Sequence, residues 1–114
     1  MYPSDGYYDV ENIPTAPSDS YFVGTDNSYW QDEWESILYV QGTVENTHHE
    51  WSIEEVEVIV KATDEYGRTI KENRVTVTPY AIPPGGQGYY SRTLQLPYEC
   101  AGADFGWEWY WIPP

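Results

Sequence analysis

Val56, Val58, Val60 and Ala62 recur at every second position, the clearest pattern in the chain. That is the period of a strand with one buried face. Asp64-Glu65-Tyr66-Gly67 then stops the run, with an acid able to cap a turn and a glycine able to take positive φ. The pattern predicts a strand over Glu54 to Thr63, with Trp51-Ser52-Ile53 leading into it.

The same alternation organises the neighbours. Ile37 to Asn46 reads as a strand with Leu38, Val40, Gly42 and Val44 on one face and Tyr39, Gln41, Thr43 and Glu45 on the other. Gly42 inside it suggests a close backbone approach or a bulge. A third strand, about Thr69 to Pro79, follows a turn of hairpin length and alternates Val75 and Val77 with Thr76 and Thr78. Ala81 to Gly86 reads as a loop whose prolines and glycines keep it out of either flanking strand. Gln87 to Leu96 places Tyr90, Leu94 and Leu96 on one face, with Arg92 an exception that either reaches the rim or is turned outward by a bulge. Pro97 to Asp104 reads as irregular. Phe105 to Ile112 sets Phe105, Trp107, Trp109 and Trp111 inward, opposite Glu108 and Tyr110. Short strands at this spacing, without any apolar run of helical period, predict an all-β antiparallel sandwich over 35–114.

Residues 1–34 belong to a different composition class. They hold Pro3, Pro14 and Pro17, many acids and no base. Low aliphatic content with high charge marks a segment that cannot fold alone. Its many aromatics, however, suggest an extended arm lying on the domain or on a second copy. Ser20-Tyr21-Phe22-Val23 is the part with strand character.

Charge sharpens this division. The formal net charge is −14, and 13 of the 19 acids precede Lys61, the first base. Such a chain is repelled by phosphate backbones and anionic surfaces, so no nucleic acid partner is expected. The 114 residues are one domain's worth. No apolar run approaches a membrane span or a signal-peptide core. That leaves either a complete soluble chain or one whose targeting residues are missing from it.

Candidate chemistry is sparse. Cys100 is the single cysteine, which excludes an internal disulfide and a cysteine metal cluster. It reads as an inert small residue. His48-His49-Glu50 is the cluster closest to a metal site, but neighbours on an extended strand point to opposite faces, so a solvated loop is the expectation. Glu54-Glu55 and Asp32-Glu33 lack the converging oxygens and fixed spacing of a calcium loop. No nucleophile triad, phosphate loop or redox cysteine pair is present. No enzyme activity, metal or cofactor is expected. The Trp107–Trp109–Trp111 ladder reads as core sooner than as an exposed platform.

Val40-x-Gly42-x-Val44-x-Asn46, Val56-x-Val58-x-Val60, Asp64-Glu65-Tyr66-Gly67 and Ile82-Pro83-Pro84-Gly85, in that order, resemble the FxLYD domain family over about Ile37 to Leu96. Val60, Lys61, Ala62, Thr63 and Asp64 stand at the signature's Phe, x, Leu, Tyr and Asp, so the turn acid alone is retained literally. The resemblance implies an immunoglobulin-like β-sandwich that is extracytoplasmic, secreted or anchored at the cell surface, and non-enzymatic. It supplies no catalytic residues.

Two functional readings follow. The first is a structural or interaction module binding protein, its specific version a second copy of the chain, with Tyr21-Phe22-Val23 adding a strand to a neighbour's sheet edge. The second is a carbohydrate- or calcium-binding module using exposed aromatics and carboxylates. Tyr21, Phe22, Val23, Trp30, Trp34 and Tyr110 are the candidate interaction residues.

Overall fold

The computed structural model describes residues 15–32 and 34–114, with only the backbone for 25–30. A 3₁₀ turn, Asp19–Tyr21, precedes strands β1 (Phe22–Asp32), β2 (Ile37–Asn46), β3 (Ser52–Thr63), β4 (Thr69–Thr76), β5 (Ala81–Ile82), β6 (Gln87–Gln95) and β7 (Gly102–Ile112). The first sheet has the order β1-β2-β6. In the second, β3 is central, with β4 and β5 along one edge and β7 along the other. Every pairing is antiparallel. The two sheets pack face to face as an all-β sandwich, as the alternation predicts.

The core follows the period of two. Leu38, Val40 and Val44 of β2 are buried against Val56, Val58, Val60 and Ala62 of β3, with Tyr90 and Leu94 from β6 and Val75 from β4. Ile53 is also fully buried, although its parity differs from that of Val56. Glu55 reconciles the two. Its backbone is left-handed, with φ 53°, and the β3–β7 register shifts between Glu54 and Glu57. Glu55 and Val56 therefore stand together opposite Trp109, a bulge lying wholly on the β3 side. Strand β7 itself stays regular.

Several boundaries differ from the sequence reading, each for a local reason. Phe22–Asp32, within the expected arm, is β1, paired with β2 from Phe22↔Asn46 to Asp32↔Ile37. Ala81–Ile82, expected to be loop, joins β3 as β5, and Ile82 is fully buried. The prolines begin only at Pro83, and a proline removes its own N–H, not that of the preceding residue. Strand β7 begins at Gly102, because Gly102, Ala103 and Asp104 pair with Thr63, Ala62 and Lys61 without adding a visible apolar alternation. Between β4 and β5, Thr78 leaves the second sheet and exchanges backbone hydrogen bonds of 2.9 and 2.7 Å with Tyr89 of β6. Arg92 is exposed with the β2–β6 register unbroken through it, which is the first of the two alternatives and not the bulge.

This topology sets β1 beside β7 on one flank and β4 beside β6 on the other. On the first flank Phe22 packs on Trp107 and Trp109, and Gln31 clamps Cys100. On the second, Lys71 Nζ donates to the Gln95 carbonyl at 2.7 Å.

Candidate functional site

Among the described residues five strands lie at sheet edges; β5 is only two residues long, and three of the other four are visibly protected. β1 carries a register shift between Thr25 and Ser28. β4 is short and carries Lys71 and Arg74. β6 carries Arg92 and is bridged at Tyr89 by Thr78. Bulges, charged side chains and short length are the usual means by which an edge avoids unwanted pairing. β7 has neither a bulge nor short length: it runs 11 residues, is regular, contains no Pro, Lys or Arg, and carries only the acids Asp104 and Glu108 as charges. Among the described residues its single strand neighbour on the long axis is β3.

The inward side of β7 is aromatic. Trp107, Trp109, Trp111 and Phe105 pack against the core, yet each keeps partial exposure because β7 is an edge. The ladder is thus neither sealed core nor open platform. Phe22 stacks on Trp109, Trp107 meets Tyr90 edge-on at 5.9 Å, and Trp111 lies 6.0 Å from His48. The buried indole Nε1 of Trp111 has no hydrogen-bond partner within the described residues. Buried donors in that state are rare.

The outward side is acidic. An open groove of about 730 Å³ runs over the second sheet to the β7 edge, lined by Asp19, Glu55, Glu57, Glu108, Thr76, Tyr80, Tyr110 and the three tryptophans. Arg74 is the cation closest to this acid. Its Nη1 donates to Glu57 Oε1 at 3.0 Å and to Glu108 Oε1 at 2.6 Å, with Nη2 reaching Glu108 Oε2 at 3.3 Å. These bonds hold the Glu108 carboxyl below its ordinary range and push Arg74 further up. The Tyr80 phenol is raised, first by partial desolvation and then by the Glu55 and Glu54 carboxylates.

The candidate residues scatter along this flank and beyond it. Tyr110, 62 % exposed, lines the groove. Phe22 is buried in the β1–β7 seam, and Val23 pairs with Glu45, so both serve the chain's own sheet. Tyr21 meets His48 edge-on at 4.7 Å, and its carbonyl accepts from the Thr47 N–H and hydroxyl. Trp30 sits in β1 opposite Tyr39. Trp34 is 97 % exposed at the β1–β2 tip, where its backbone N–H donates to Asp32 Oδ1. That tip lies at the far end of the sandwich from Tyr110, with the exposed Tyr66 and Tyr98 in the other loops of that end.

In the His48-His49-Glu50 loop His49 and Glu50 are exposed, as a solvated loop predicts, and His48 is the exception. His48 is buried, and its Nδ1 accepts the Glu50 and Trp51 N–H groups, each at 3.0 Å. The loop folds back, so the two imidazoles stack at 4.8 Å instead of pointing to opposite faces. Among the described residues no three His, Cys, Asp or Glu side chains converge as a metal site. Beneath this loop, fully buried Asn46 donates to the carbonyls of Trp51, Ile82 and Pro83 and accepts from the His48 N–H. Cys100 is buried against Gln31, and burial pushes its thiol pKa up. Asp64 Oδ1 accepts the Tyr66 and Arg68 N–H groups, and Gly67 takes φ 80°, which makes Asp64 a turn-former as its position suggests.

Compared with family models, curated proteins and solved structures, the chain matches none.

Proposed function

We propose that this chain is a non-enzymatic interaction module whose working surface is the open edge of β7. The observation that carries this reading is the contrast among the edges: β7 is the long, regular one without a protecting bulge, proline or base. Such an edge presents a row of unpaired N–H and C=O groups to an incoming strand. The partly exposed tryptophans beneath it give alternate side chains of that strand something apolar to cover. The unpartnered Trp111 N–H is a further sign of an incomplete flank.

The side chains best suited to base or nucleophilic chemistry support a non-enzymatic role. His48 Nδ1 is committed to two backbone amides, and the Cys100 thiol is kept protonated by burial. We also propose that the module works outside the cytoplasm as an immunoglobulin-like, FxLYD-related sandwich. Its support is the ordered resemblance from Val40 to Gly85.

The test is a titration of isotope-labelled full-length protein with a panel of extended peptides, glycans and calcium. Binding peptides are expected to slow amide exchange along Gly102–Ile112. A response to glycans or calcium alone, with the β7 amides unchanged, would favour the carbohydrate or calcium module instead.

A further inference from the structure

Charge is distributed unevenly across the two flanks of the sandwich. None of the five bases lies on β1 or β7: Lys61 is on β3 opposite Asp104, Arg68 in the turn after it, Lys71 and Arg74 on β4 with Arg74 paired to Glu108, and Arg92 on β6. β1 and β7 together carry Asp26, Asp32, Asp104 and Glu108 and no base. The groove beside β7 adds Asp19, Glu55 and Glu57, against which Arg74 supplies one compensating cation.

Along the same flank the two edge strands run side by side without being paired. Phe22 lies on Trp109, a side chain at Gly24 would collide with the Trp107 ring, and Gln31 Nε2 donates to the Cys100 carbonyl at 2.7 Å. β1 and β7 are therefore antiparallel neighbours across a seam. An added strand at β7 has two unlike sides to satisfy, because successive side chains on a strand point to opposite faces. One side meets the partly buried rings of Trp107 and Trp109. The other meets Glu108 directly, with Glu57, Glu55 and Asp19 beyond it.

Resting on the strand-edge reading above, we infer that the natural occupant of β7 is an extended cationic segment of another protein. It alternates apolar residues with Lys or Arg and runs antiparallel to β7. Apolar positions face the tryptophans, and cations lie beside Glu108 and Glu55. Opposite charges across neighbouring strands stabilise pairing and like charges oppose it. The chain's own first 18 residues, with Asp5, Asp9 and Glu11 and no base, therefore suit this edge poorly. Two β7 edges from two copies would likewise bring Glu108 and Asp104 toward their own kind.

The experiment uses the full chain and four synthetic peptides, three of them of β7's length, 11 residues. One alternates Val with Lys, one alternates Val with Glu, and one has the Val/Lys composition in scrambled order. The fourth copies residues 1–18. Affinity is read by tryptophan fluorescence and location by amide exchange. The alternating Lys peptide is expected to bind roughly tenfold or more tightly than the Glu peptide at low salt, to lose that advantage as salt rises, and to protect β7 amides. Glu55→Gln weakens the Lys peptide but not the Glu peptide. Equal binding of the Lys and Glu peptides, with β7 protected by both, overturns the charge assignment and leaves the strand edge standing. Stronger binding by the 1–18 peptide, or β7 protection that rises with protein concentration alone, overturns it in favour of a second copy. Binding of the scrambled peptide equal to that of the alternating one removes the strand geometry. Unchanged β7 amides with every peptide overturn both this inference and the reading beneath it.

Discussion

The phenyl ring of Phe22 lies flat on the indole of Trp109, centroids 4.0 Å apart and planes 8° apart. One ring belongs to the first residue of β1 and the other to the β7 residue opposite the β3 bulge. The stack closes one end of the β1–β7 seam, and the Gln31–Cys100 clamp closes the other. Strand β1 is thereby held at one end to β7 and at the other to the segment that leads into β7.

Phe22→Ala is expected to cost about 3 kcal/mol, the range for emptying a buried aromatic site. Gly24→Ala acts on the same seam by the opposite route. Its added Cβ meets the Trp107 ring, so β1 must move away, at about 1–3 kcal/mol. Urea unfolding of both variants checks this. Wild-type midpoints would mean that β1 is not packed against β7 in solution.

A second prediction concerns Asn46, which ties the β2–β3 loop to the Pro83–Gly86 turn. Asn46→Ala leaves the His48 N–H without its acceptor and three carbonyls without a donor, for about 2–3 kcal/mol. The loss is expected in thermal unfolding, together with freer amide exchange at Glu50 and Trp51. An unchanged melting temperature would refute it.

Acid lability should be traceable in part to Asp64. The Arg68 backbone N–H, then its guanidinium and the Tyr66 N–H, lower this carboxyl against partial desolvation. Because folding lowers the pKa, the stabilisation is complete above the ordinary aspartate value and fades as pH falls through the folded one. Denaturation midpoints followed below about pH 4 should therefore fall less for Asp64→Asn than for wild type. Parallel curves would contradict the assignment.

At the alkaline end Tyr90 is the residue to follow. It is buried beside Trp107, and burial pushes its phenol up to about 12. A raised folded pKa means full stability below the ordinary tyrosine value and a loss as pH rises through the folded one. Phenolate absorbance is expected to show a late-titrating group that Tyr90→Phe removes. A single early titration of all tyrosines would argue that Tyr90 is open to water.

The sequence exposed those parts of the fold where burial alternates strictly. Leu38, Val40 and Val44 mark β2 to its observed ends, and Val56 to Ala62 mark the body of β3. β1 was hidden because Gly24-Thr25-Asp26-Asn27-Ser28 has no apolar face and its register slips there, so backbone pairing with β2 holds it in place more than any side-chain period. Asn46 offered a signal that polarity obscured: it continues the inward parity of Leu38, Val40, Gly42 and Val44, which identifies a buried amide. At the candidate site, Tyr110 and the tryptophan ladder were legible from alternation. The open edge was not, since the number of partners a strand has depends on how distant segments pair.

Amide hydrogen exchange along Gly102–Ile112 in the free, monomeric protein tests the central claim most directly. An open edge predicts alternation: amides turned toward β3 protected like those of the core, and the intervening ones exchanging as fast as an exposed strand allows. Uniform strong protection along β7 in the monomer would mean that the edge is already filled, and would contradict the account.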